Sequence, residues 1–246
     1  MAAAYIGGGT FSFCGKFDGD GHTITLDLDS SKLAGGGKEW NDGLALFMAI
    51  GDGCEIKNLT VAGTIVTDRK YCAGFSTRIV DSANVVIQNC RSNVTIISSV
   101  VGDTTSGGFY AVGRKNGVNV TFTNCLFDGN FISEEGTNFS GFVGFQHDDD
   151  GATLTFSGCT VILGEETSER LLSESGCYTF SRNDASVVFN VSEDTLYTTV
   201  FGNADRGKLA YLDPAEAASA ANDAGKEVDS LSIGGYTLYY LTEATE

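Results

Sequence analysis

Apolar and polar residues alternate in short runs along this chain, and one run keeps returning. Cys54-Glu55-Ile56-Lys57-Asn58-Leu59, Val85-Val86-Ile87-Gln88-Asn89-Cys90, Val120-Thr121-Phe122-Thr123-Asn124-Cys125 and Leu154-Thr155-Phe156-Ser157-Gly158-Cys159 are variants of one pattern, with a weaker copy at Val187-Val188-Phe189-Asn190-Val191. Their centres, Ile56, Ile87, Phe122, Phe156 and Phe189, are 31, 35, 34 and 33 residues apart. A second series keeps step with the first. It comprises Leu46-Phe47, Gly74-Phe75, Gly108-Phe109 and Gly141-Phe142, with phenylalanines 28, 34 and 33 residues apart. Each unit then holds a Gly-Phe strand, the six-residue strand and a third apolar run such as Val94-Thr95-Ile96-Ile97 or residues 126–132, which predicts three strands per unit.

Strand side chains point to opposite faces with period two, so the apolar positions of each run line one buried face. The alternation slips at Asn58, Asn89, Asn124 and Gly158. Asn and Gly adopt positive φ most readily, so this position predicts a corner between two strands. Short strands, tight corners and a repeat of about 33 residues predict a parallel β-helix, each coil lying ~4.8 Å above the last. The whole is read as an all-β, right-handed, single-stranded parallel β-helix of about six coils, roughly 30 Å tall. Cys90, Cys125 and Cys159 then form an inward stack of small buried thiols rather than a metal site or disulfides.

Phe13 to Leu26 reads as the first coil, with Ile24 lying 32 residues before Ile56, and residues 30–38 read as a loop. Near the other end Asp213-Pro214-Ala215-Glu216 supplies an N-cap, a proline at N1 and a glutamate at N3, and Gly225 closes an Ala-rich helix. Ser230-Leu231-Ser232-Ile233, Gly234-Gly235 and Tyr236-Thr237-Leu238-Tyr239-Tyr240 read as a hairpin. The expected division is a β-helix over residues 1–202 and, over 203–246, a helix-plus-hairpin cap or the start of a following module.

Phe17-Asp18-Gly19-Asp20-Gly21-His22-Thr23-Ile24, with Gly43-Leu44-Ala45-Leu46-Phe47 and Ile56-Lys57-Asn58-Leu59-Thr60-Val61, resembles the right-handed β-helix repeats of large bacterial surface proteins. These are the pectate-lyase-like and GLUG-type adhesin repeats, and the resemblance covers about residues 11–200. It departs where an extra Leu-Ala interrupts Gly-Leu-Phe and where cysteine replaces leucine in later coils. It implies an extracellular place on a bacterial cell surface, other domains of a longer parent chain, and adhesion or contact with a glycan or host surface ligand. Such motifs specify architecture better than activity.

Charge narrows the partners. Fifteen Lys and Arg stand against 32 Asp and Glu, a net charge of −17, which argues against a nucleic-acid groove. No run approaches the ~18 apolar residues of a membrane span, so no membrane insertion is expected. Met1-Ala2-Ala3-Ala4 lacks the basic and apolar regions of a signal peptide. Seven cysteines include no Cys-x-x-Cys pair, and the redox state of Cys14, Cys54, Cys72 and Cys177 is left open.

Polysaccharide lyases and hydrolases share this fold and work through carboxylates, with Arg or Lys as base in the lyases. The sharpest candidate is Gln146-His147-Asp148-Asp149-Asp150, read first as a solvated turn and second as a loop whose Asp148, Asp149 and Asp150 hold calcium, the one cofactor considered. Arg114 and Lys115 fall in the matching loop one coil earlier, where an interloop salt bridge is the simpler expectation. Glu134-Glu135 and Glu165-Glu166, 31 residues apart, suggest an acidic edge. Trp40, the sole tryptophan, either packs over the first coil or stacks on a sugar. Ligand contact is therefore assigned to Trp40, Arg114, Lys115 and His147, with no catalytic residue named. The expected role is a non-catalytic segment presenting loops for adhesion or carbohydrate contact. The alternatives are a polysaccharide-active lyase or hydrolase using Asp148 to Asp150, and a rigid spacer.

Overall fold

The computed structural model describes residues 11–32, 43–114, 116–173, 177–199 and 207–244. The repeated runs stack as a parallel sheet. This first sheet holds Lys16–Asp18, Glu55–Lys57, Asn84–Gln88, Asn119–Thr123, Thr153–Ser157 and Val188–Val191, in that order. Ile56 pairs with Ile87, Ile87 with Phe122 and Phe122 with Phe156, all in parallel. Residues one repeat apart are vertical neighbours, and the chain is a parallel β-helix. Six rungs on this sheet make about five turns, slightly fewer than the six coils read from the repeat.

The corner residues take the expected conformation, with φ of 53° at Asn58, 51° at Asn89 and Asn124, and 59° at Gly158. Their side chains also link the coils. Asn124 Nδ2 donates to Asn89 Oδ1 (3.3 Å), Asn89 Nδ2 to Asn58 Oδ1 (3.1 Å), and Asn58 Nδ2 to Asp18 Oδ1 (3.0 Å). A second ladder runs from Asn119 to Asn84 (3.2 Å) and from Asn84 to Asp52 (2.9 Å). Each of these amides donates toward the N-terminal end, so both ladders finish on an ionised carboxylate, which can only accept. The Asn58 amide holds the Asp18 carboxyl below its ordinary value, and the N–H groups of Asn84 do the same for Asp52.

Each turn has four strands rather than three. After the corner the chain enters a second sheet, with Thr23–Asp29, Thr60–Thr67 and Arg91–Ser98 as its longest strands. A third sheet follows, of Cys72–Ala73, Gly102–Gly107, Gly136–Ser140 and Cys177–Tyr178. The fourth holds Ser76–Ile79, Tyr110–Gly113, Val143–Gln146 and Ser181–Asn183. The Gly-Phe pairs are not strands but the bend between the third and fourth sheets. A Cβ on Gly108 would lie 2.1 Å from the Gly141 carbonyl oxygen, so this bend needs glycine. Residues 126–132 also divide, into Leu126–Phe127 and a strand beginning at Asn130, because Gly129 lies against the backbone of Val94.

The first coil is offset from its expected register. Phe17, not Ile24, lies beneath Ile56, and Ile24 pairs with Val61 in the second sheet. The turn through Asp20 (φ 50°) and Gly21 (φ 75°) makes the corner there. Of the expected loop at residues 30–38, Ser30–Lys32 form a short 3₁₀ turn and the rest lie outside the described residues.

Two phenylalanine columns fill the centre. Phe75, Phe109 and Phe142 stack at 4.9 and 4.6 Å, Phe122 stacks on Phe156 at 5.1 Å, and the columns meet edge to face. Cys90, Cys125 and Cys159 form the expected buried stack, and all seven cysteines are free. At the C-terminal end the helix Pro214–Ala224 is capped by Asp213 and ended by Gly225 (φ 66°), as its sequence signals required. Glu227–Ile233 and Tyr236–Thr242 form the hairpin, which joins the second sheet through Lys208–Tyr211. Leu238 packs with Leu126, Ile162, Leu196 and Ala210. The division placed between 202 and 203 lies outside the described residues.

Candidate functional site

Beyond the Gly-Phe bend the third and fourth sheets press together through small residues. Ala45, Ala73 and Ala111 form a cluster separate from the main core, with Tyr71 packed against it. A Cβ on Gly144 would lie 3.0 Å from the backbone of both Thr105 and Ser106. This close approach brings polar and aromatic side chains of both sheets onto one flank.

Asp103 is the centre of that flank. Its carboxylate accepts from Lys70 Nζ (2.5 Å), Asn138 Nδ2 (2.7 Å), Arg182 Nη1 (2.9 Å) and Thr105 Oγ1 (3.3 Å). Thr105 (φ 56°) and Asn138 (φ 68°) are both left-handed, and the register between their strands shifts beside Asn138. A β-branched residue in that region is strained, and such strain gathers where a structure holds a particular arrangement of side chains. Partial burial pushes the Asp103 carboxyl up, but Lys70, Arg182 and Asn138 outweigh it and leave it at about 2. Asp103 is thus ionised at neutral pH and cannot serve there as a general acid.

A basic and aromatic row continues from this centre. The Arg182 guanidinium lies 4.4 Å from the Phe145 ring centre, and Phe145 meets the His147 ring edge to face at 4.5 Å. Arg78 shares the register of Val112 and Phe145. Burial, and after it the charge of neighbouring Arg114, pushes Arg78 below its ordinary value. Arg114 Nε lies 3.5 Å from Asp81 Oδ2, and His147 Nδ1 lies 3.6 Å from Asp184 Oδ2. His147 also sits one coil above Arg114, as the spacing predicted, because its N–H donates to the Gly113 carbonyl.

The aspartate triplet does not converge. Asp148 Oδ1 turns into its own loop to accept from Ala152 N (2.8 Å), while Asp149 and Asp150 are exposed. Among the described residues no three His, Cys, Asp or Glu side chains are grouped to hold a metal ion. Arg114 pairs with Asp81 of the preceding coil. Glu166 is anchored over Asn130 rather than over Glu134, so the two glutamate pairs do not share a column. Trp40 and Lys115 lie outside the described residues. Desolvation pushes Cys54 up to about 12 and Cys90 up to about 11, and raises Cys72 and Cys125, so these four thiols are poor nucleophiles at neutral pH.

Sequence reading missed Lys70, Asp103, Asn138, Phe145 and Arg182. Asp103 and Asn138 are 35 residues apart, one coil, so aligning the third strand by the repeat would have paired them.

The Asp103 assembly makes an acid-stability prediction. Its folded value near 2 lies below the ordinary 3.8, so its contribution is complete above pH ~4 and is lost as the pH falls toward 2. Melting followed by circular dichroism should show Asp103→Asn with a lower Tm at pH 7 and a shallower fall between about pH 4 and 2 than the parent. Parallel acid limbs in the two proteins would remove Asp103 from this role. Comparison with family models, with curated proteins and with solved structures finds no match for this chain.

Proposed function

We propose that this chain is a non-catalytic β-helix segment, displayed on a bacterial cell surface within a longer protein, whose third-to-fourth-sheet flank contacts a carboxylated or sulfated glycan. One observation carries the reading: on a chain of net charge −17, Arg78, Val112 and Phe145 share one register of the fourth sheet, with Arg182 covering the Phe145 ring and Arg114 two residues beyond Val112. These three arginines gather positive charge on one flank. Their planar forks match carboxylate and sulfate oxygens, and an aromatic neighbour suits the apolar face of a sugar ring. Two carboxylates on this side are already engaged, Asp103 by Lys70 and Arg182 and Asp148 by its own loop.

A glycan array probed with the parent and with Arg78→Gln/Arg114→Gln, run beside an absorbance assay for unsaturated uronate and a reducing-sugar assay, tests this. Retention on acidic glycans that weakens with salt and falls roughly tenfold in the double variant is the expected result. Release of unsaturated or reducing product would replace it with the lyase or hydrolase reading. Absence of acidic-glycan binding would leave a rigid spacer.

A further inference from the structure

A groove runs along the corner where the second sheet passes into the third. Its wall is a column of aliphatic side chains on three successive rungs, Val66, Ile97 and Ile132, in continuous parallel register. Val66 is 42% exposed and the adjoining Val101 is 72% exposed, an unusual display of branched hydrocarbon on so acidic a chain. The groove encloses about 400 Å³ and is rimmed by Glu134 and Glu135, both exposed.

The buried hydroxyls beneath it are already committed to the corner. Thr67 Oγ1 accepts from Arg69 N, Ser98 Oγ from Val100 N and Ser133 Oγ from Gly136 N. A sugar would find few polar partners there, and a fatty acid or anionic lipid would meet the two glutamates. Among the described residues no lysine or arginine lines the groove. We infer that it is a docking site for an extended segment of a partner protein that carries aliphatic side chains flanked by Lys or Arg. Two side chains on the same face of an extended peptide are ~6.7 Å apart, which fits along three rungs spaced ~4.8 Å. The basic flanks then meet Glu134 and Glu135, a charge match that favours encounter and orientation. This site lies on a different corner from the arginine row and does not depend on the glycan reading.

The test uses fluorescence anisotropy with two labelled synthetic peptides, each with a Leu-Thr-Val centre, one flanked by paired lysines and the other by paired glutamates. The intact chain should bind the lysine peptide, more weakly at raised salt, and not the glutamate peptide. Ile97→Thr and Glu134→Gln/Glu135→Gln should each weaken binding roughly tenfold with an unchanged circular dichroism spectrum. Equal binding of both peptides, no binding of the lysine peptide, or no loss in either variant would overturn the inference. Arg78→Gln/Arg114→Gln, on the fourth sheet away from the groove, should bind the lysine peptide as the parent does, and a loss there would also overturn the inference.

Discussion

Phe122→Ala is expected to destabilise the protein by about 3–5 kcal/mol, lowering Tm by roughly 10 °C or more for a chain of this size. Phe122 is fully buried, stacks on Phe156 at 5.1 Å and meets the edges of Phe109 and Phe142 at 5.5 and 5.1 Å. Truncation therefore opens a void at the junction of both aromatic columns. Rungs above and below hold their spacing through backbone hydrogen bonds, so the void cannot close by collapse. Thr121→Ala, one position away and exposed on the outer face, should change stability by no more than ~0.5 kcal/mol. Urea or thermal unfolding of the two variants checks both values. Similar losses in both would mean that the inward and outward faces have been exchanged.

The same contrast explains how much of the fold was legible. In the first sheet the inward positions are apolar and the corners of the four middle rungs are Asn or Gly, so period-two alternation and its slip at residues 58, 89, 124 and 158 showed the strand and its end together. The third sheet breaks that rule. Thr104, Ser106 and Ser140 are fully buried, and hydroxyls at inward positions erase the hydrophobic alternation. Ser106 Oγ and Ser140 Oγ have no hydrogen-bond partner, so they fill space there as small side chains do. A strand without an apolar signature went unread, and Asp103, which it carries, went unread with it. The candidate loops fared differently. The interval of 33 residues placed His147 over Arg114 correctly, but it did not reveal that Asp81 and Asp184, one coil outward on either side, would pair with them.

Asp128→Asn is expected to cost about 3 kcal/mol and to loosen the C-terminal hairpin in particular. The Asp128 side chain is completely buried and forms a two-pronged ion pair with Arg91 one coil below, including Nε to Oδ1 at 3.0 Å. Tyr236, the first residue of the second hairpin strand, lies near enough that the Asp128 charge, after burial, raises its hydroxyl above the ordinary value. Beside it, Gly234 lies so close to Leu126 that a Cβ would come within 2.3 Å of its side chain. Asp128 thus joins two coils of the solenoid to the hairpin from inside the contact. An amide can accept at only one of its two heads, so the variant turns an N–H₂ toward a donor and leaves the guanidinium without its counter-charge. Arg91 keeps about a third of its exposure, which holds the expected loss at the lower end of the 3–5 kcal/mol typical of a broken buried pair. Hydrogen exchange should then rise across residues 227–242 well before it rises in the first sheet, with Tm lowered by about 6–12 °C. Arg91→Met/Asp128→Leu removes both charges and should recover most of the stability without restoring the Tyr236 contact. If Asp128→Asn leaves hairpin exchange at the parent rate, the ion pair does not hold that unit, and its place on the flank rests on Leu238 and its apolar neighbours alone.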